Sequence, residues 1–253
     1  MKPLFWLAAF ALVGPLSPAF AGPPYKTDDP EPTDLGKWEI YSFVDFDGRR
    51  SDLEGEGGFD LNYGAAEGLQ VTATLPVAFE HSQGSGWSAG RGDLELGAKY
   101  RFVDDRNDGW QIAAFPRVIL PTSVKHLGGK HARLLLPVWA QKDFGKTSVF
   151  GGGGYEINPG TGNTNFWEAG VAVTHDVTDK LQLGGEVSAQ SADTRDGKRS
   201  AGVDLGMIDK LGGPYSLLVA AGPSFSGGQT SYRGYVAVGL NFEGHAILVV
   251  NYC

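Results

Sequence analysis

The chain has 253 residues, 38 of them glycine, a formal net charge of −8 and one cysteine, Cys253, at its very end. A lone cysteine rules out an intrachain disulfide, and the negative balance argues against a nucleic-acid partner. Glycine at about twice its usual share of roughly 7 % disfavours a helical protein and suits turns, bulges and curved strands.

At the start of the chain, Lys2 precedes an apolar run over 4–13, then Gly14, Pro15 and the triplet Ala19, Phe20, Ala21. A positive start, a short apolar stretch and an A-x-A site form a secretory signal peptide, predicted over 1–21 with Gly22 opening the mature chain. The run is too short to span a membrane as a helix, which takes about 20 apolar residues. Nothing later in the chain is longer and apolar. The mature protein is therefore expected either in solution outside the cytoplasm or as a barrel in the outer membrane of a Gram-negative envelope.

Residues 22–36 are rich in proline and are expected as a periplasmic N-terminal segment. Within it, Asp28 and Asp29 before Pro30 read as local turn formers rather than an ion site. From 37 onward, apolar and polar residues alternate with period two. In the stretch 92–102 (GDLELGAKYRF), Leu94, Leu96, Ala98, Tyr100 and Phe102 take one face, and Asp93, Glu95, Lys99 and Arg101 the other. The pattern predicts about twelve strands: 37–47, 56–64, 68–80, 91–103, 109–121, 132–144, 146–157, 165–177, 180–191, 200–209, 214–225 and 231–242. Tight connections at 65–67, at Gly145, at 177–180 and at 210–213 alternate with longer ones at 48–55, 80–90, 122–131 and 192–199. Aromatic residues such as Trp38, Trp110, Tyr100 and Phe144 gather at strand ends on the apolar face, where interfacial girdles lie. Together these features predict an all-β, transmembrane, antiparallel up-and-down β-barrel over 37–242, with both ends of the chain on the periplasmic side.

Two stretches carry a resemblance. The mature start over 22–32 (GPPYKTDDPEP) with 36–39 (GKWE), and the GDLELGAKYRF strand, resemble the bacterial outer-membrane transporter family labelled "MetA-pathway of phenol degradation". The resemblance implies an outer-membrane barrel that moves small, aromatic or hydrophobic compounds. Such barrels end on an aromatic residue. Phe242 would supply it here, but residues 243–253 continue past it as a tail of unassigned placement.

Charges on a lipid-facing surface cost about 2–4 kcal/mol at the membrane midplane, so the polar face must line the lumen. The inward set is Lys99, Arg101, Arg117 and Arg133 on neighbouring strands, with Glu95, and with Glu168 and Glu186 elsewhere around the barrel. Tyr41, Phe43, Phe115 and Trp139 are the inward aromatics. These residues are the candidate solute-lining positions, with the four cations forming a basic track opposite a more acidic wall. No catalytic residue, metal site or cofactor is expected. The run Gly151 to Gly154 lacks the helix and Lys-Ser/Thr of a phosphate loop and reads as a wall approached closely from one side. His126 and His131 with their basic neighbours read as a solvated loop, and His175-Asp176 lacks a serine elbow. The expected partners are the lipid bilayer, the outer-membrane barrel assembly machinery and a small solute. The competing readings are an outer-membrane lipid hydrolase, a plugged barrel that transports nothing, and a soluble periplasmic binding protein.

Overall fold

The computed structural model describes residues 24–105, 109–124 and 127–244. The expected signal peptide and its cleavage site, Lys125, His126 and the tail beyond Gly244 lie outside the described residues.

Fourteen strands occur among the described residues: β1 (Lys37–Gly48), β2 (Asp52–Ala66), β3 (Leu69–Ser82), β4 (Gly86–Arg91), β5 (Leu94–Asp105), β6 (Trp110–Ala114), β7 (Arg117–Leu120), β8 (Arg133–Phe144), β9 (Thr147–Ile157), β10 (Phe166–Asp176), β11 (Leu181–Gln190), β12 (Ser200–Gly212), β13 (Tyr215–Ser226) and β14 (Gln229–Glu243). Each pairs antiparallel with its neighbours, and β14 returns to β1 in unbroken register from Lys37↔Glu243 to Gly48↔Tyr232. The sheet is thus a closed barrel of twelve staves, because two staves are broken into halves. β4 and β5 both pair with β3, and β6 and β7 both pair with β5 and β8. Closure pairs every stave around the barrel, which is what allows a sheet to sit in lipid, and leaves only the short β4 with a single strand partner.

The breaks correct the expectation of continuous strands over 91–103 and 109–121, and prolines account for them. Pro116 has no N–H for the ladder, so β6 stops at Ala114 and β7 restarts at Arg117. Phe115 instead donates to the Pro137 carbonyl, and Ala98 donates to that of Pro116. Pro76 faces the other break, where Gly92 donates to its carbonyl at 2.9 Å. Asp93 leaves the ladder and accepts from the backbone of Ser123 and Gly129, pinning the 121–132 connection. The connection expected over 48–55 shortens to 49–51, and that over 80–90 is mostly strand, turning at 83–85.

The outer surface is apolar. Val44, Phe59, Val77, Val171, Val187 and Leu205 point away from the barrel and are exposed. Aromatic pairs flank this band, with Trp38 against Tyr63 and Tyr155 against Trp167, each at 4.8 Å between ring centroids. Water would not tolerate so continuous an apolar face on a monomer, whereas a hydrocarbon layer requires one.

Candidate functional site: the lumen and its N-terminal segment

Residues 24–36 belong to the segment expected in the periplasm. They run back from the start of β1 into the lumen. At the rim, Leu35 bridges Gly64. Deeper, the Thr33 amide donates to Gln70 Oε1 at 2.8 Å, and Glu31 accepts from Gln141 Nε2 at 2.8 Å. At mid-barrel the amides of Lys26 and Thr27 donate to the Glu186 carboxylate, at 3.1 and 2.8 Å. The wall there is made of glycine. A Cβ at Gly170 would overlap the Thr27 hydroxyl, at Gly184 it would strike the Tyr25 hydroxyl, and at Gly206 the edge of the Tyr25 ring. These three lie at inward positions on β10, β11 and β12, so the strands present a smooth trough to the segment.

The candidate residues all face inward, but they form pairs rather than a track. Lys99 is almost wholly buried and binds the segment itself, with its ammonium 3.0 Å from Asp28 and 3.5 Å from Asp29. Phe115 is sandwiched between Lys99 and Arg117, whose cations lie 5.1 and 5.0 Å from its ring centre. Arg117 meets Glu95 at 3.3 Å and Glu168 at 4.0 Å. Arg101 is held by Asp104 and by Gln111, and Arg133 by Glu156 at 2.9 Å. The expected basic wall facing an acidic one is therefore corrected: each of these cations is met by a carboxylate on its own stave, an adjacent one or the segment. Neutralising partners at contact distance are what a lumen of lowered dielectric demands.

Tyr41 and Phe43 pack with Leu218 and Ala237 into a small core, and Phe43 stacks on Tyr235. Trp139 is buried over the smooth face of Gly152. Arg233 is the residue that the sequence reading missed. It lies between Glu186, at 3.1 Å, and Asp204, and so holds the carboxylate that in turn holds Lys26 and Thr27. Arg233 is buried at an inward position of β14, a side that period two could have assigned, but its distance in sequence from Glu186 hides the link.

The segment fills part of the lumen, and a cavity of about 320 Å³ runs beside it, lined by Tyr25, Asp28, Asn62, Asp93 and Arg117. Towards the long-loop rim, a cavity of about 820 Å³ is lined by Tyr25, Lys26, Arg117, Arg233 and a row of carboxylates. Asp45 and Glu56 face each other across β1 and β2, as do Asp47 and Glu54, and Glu54 faces Glu80 of β3. Towards the turn rim, another cavity of about 370 Å³ is lined by Asp29, Glu31, Lys146, Asp176, Asp179 and Lys180. Asp29 belongs to the segment, not to a spanning strand. Burial pushes its carboxyl up to about 7, against the opposing pull of Lys99. Among the described residues no group of three or more His, Cys, Asp or Glu is placed to hold a metal ion. The ring of His175 meets the hydroxyl of Thr147 at 2.9 Å, outside the lumen at the turn rim.

Solved structures share this architecture. An outer membrane channel from Pseudomonas putida F1 superimposes with a TM-score of 0.72 at 16 % identity, covering 85 % of this chain and 98 % of that one. The fold is that of an outer-membrane β-barrel. The same outer-membrane barrel fold recurs in the translocator domain of the autotransporter NalP from Neisseria meningitidis, at TM-score 0.56, 15 % identity and coverage of 83 % and 90 %. It recurs too in the KdgM porin, at 0.56, 12 %, 81 % and 99 %. No protein-family profile and no curated protein matches the sequence.

Proposed function

We propose that the protein is an outer-membrane channel that passes small solutes passively, with residues 24–36 as its restriction. The observation that carries this reading is a lumen with cavities on either side of a segment of the chain and a further one of about 320 Å³ running beside it, so that the segment rather than the barrel wall sets the narrowest passage. A solute that moves or skirts the segment needs no covalent chemistry and no cofactor. Asp45, Asp47, Glu54 and Glu56 form no ion pair among the described residues, so the wider cavity favours cations or the positive end of a dipolar solute. Tyr25 and Tyr235, which line the wider cavity, offer weak stacking for an apolar part, in keeping with the aromatic or hydrophobic cargo implied by the family resemblance. The candidate lining positions are Lys99, Arg101, Arg117, Arg133, Glu95, Glu168, Glu186, Tyr41, Phe43, Phe115 and Trp139. The chain reaches the membrane through a signal peptide cleaved after Ala21 and the barrel assembly machinery.

The test is single-channel recording in a planar bilayer. Full-length protein should conduct in small steps with a reversal potential on the cation side of zero in a salt gradient. Deletion of 24–33 should enlarge the conductance severalfold. The buried hydrogen bonds of the segment favour a second reading, a permanently plugged barrel. Folded protein that conducts neither with the segment nor without it would establish that reading and end the first.

A further inference from the structure

The outer face carries a notch that the lumen does not explain. On three adjacent strands the outward residues Ala169, Ala189 and Ala201 stand in register, and the row ends at Phe225 on β13. Trp167, two residues above Ala169, bounds the other side together with Tyr155. One step towards the barrel middle the same strands carry Val171, Val187 and Val203, so the alanines form a recess above a valine shelf. A groove of about 720 Å³ lies over this recess, within the size range of small-ligand pockets, roughly 300–1,000 Å³. Three strand spacings of roughly 4.8 Å set its width at about 14 Å, ample room for an acyl chain.

Lys198 and Arg199 overhang the groove, and both are exposed. Neither forms an ion pair among the described residues, although Asp193 and Asp196 stand in the same loop. The loop does not swing freely. Thr164 donates to the Asp193 carbonyl at 2.8 Å and Arg195 to that of Gly162 at 2.9 Å, which fixes where the two cations emerge. A recess framed by aromatic rings at the membrane edge, with two uncompensated cations above it, matches an anionic lipid in both parts.

We infer that this notch is a binding site for one anionic lipid of the surrounding bilayer. Lys198 and Arg199 take its phosphate, and one acyl chain lies across the alanine row between Trp167 and Phe225. The site rests on the membrane-spanning reading of the outward face and is independent of whether the lumen conducts.

Native mass spectrometry of the full barrel, released from nanodiscs of equal phosphatidylglycerol and phosphatidylcholine with identical chains, tests it. Wild-type protein should retain phosphatidylglycerol over phosphatidylcholine roughly thirtyfold, as two cations near a membrane surface predict. The K198Q/R199Q variant should fall to near parity. Ala189→Leu, which fills the recess on a lipid-facing position without touching the lumen, should lose bound lipid of both kinds. Heat-modifiable migration on gels confirms that each variant is folded. Wild type that reconstitutes but retains both lipids equally, or a preference that survives K198Q/R199Q, overturns this site alone. Failure of the wild type to enter a bilayer overturns the membrane reading with it.

Discussion

Glu186 shows how single side chains set the state of the lumen. Its carboxylate accepts the two amides at the tip of the N-terminal segment and is itself clamped by Arg233. Hydrogen bonds to a buried charge contribute about 1.5–3 kcal/mol each, so Glu186→Gln should weaken docking of the segment by roughly tenfold or more. Limited proteolysis in detergent measures this as faster cutting near Lys26 with the barrel still intact. Unchanged cutting would mean that Glu186 stabilises the wall and not the segment. Gly170→Leu reaches the same end by sterics, since its side chain would occupy the place of the Thr27 hydroxyl. Glu186 was legible as an inward position of its strand, and Gly170 follows from the same alternation. Their shared role was not, because it depends on a segment more than 130 residues away in sequence.

At the scale of elements, the N-terminal segment should respond to pH. The folded Asp29 carboxyl titrates at about 7 against an ordinary 3.8, so the docked state binds an extra proton between those values. Docking is therefore strongest below about pH 4 and weakens as pH rises through about 7. Glu31, also raised by burial, acts in the same sense. Proteolysis of the segment or channel opening should increase from pH 5 to pH 8, and Asp29→Asn should flatten most of that change. An equal pH response in the variant would sink the assignment. The closing strand gives a separate expectation. The β1–β14 ladder is complete at Lys37↔Glu243, with Phe242 opposite Trp38. Removing 245–253 should leave heat-modifiable, membrane-inserted barrel; its loss would make the tail part of closure.

For the whole molecule, the alternation of connections sets an orientation. Turns at 67–68, 145–146, 177–180 and 213–214 share the rim with the start of β1 and the end of β14, while 121–132, 158–165 and 191–199 share the other. In a Cys253→Ser background, a cysteine at Ser85 should react with an impermeant maleimide on intact cells, and one at Glu67 only after permeabilisation. The reverse labelling would invert the barrel. In this orientation the wide acidic cavity opens to the exterior and the segment guards the periplasmic half.

The sequence by itself determined the wall. Period-two alternation, glycine-marked turns and end-of-strand aromatics are local signals, and a strand's two faces follow from backbone geometry alone. Twelve staves, their order and the inward side of Lys99, Arg117 or Glu186 were therefore open to reading. Proline at 116 even marked a break that the alternation overrode. Only the tertiary structure decided what fills the wall. A segment rich in proline and acidic residues carries no periodicity, so nothing local says whether it stays in water or enters the lumen. It enters because Lys99, Gln70, Gln141 and Glu186, drawn from strands far apart in the chain, converge on its backbone and carboxylates, and because three glycines leave it room. Those contacts exist only once the barrel has closed.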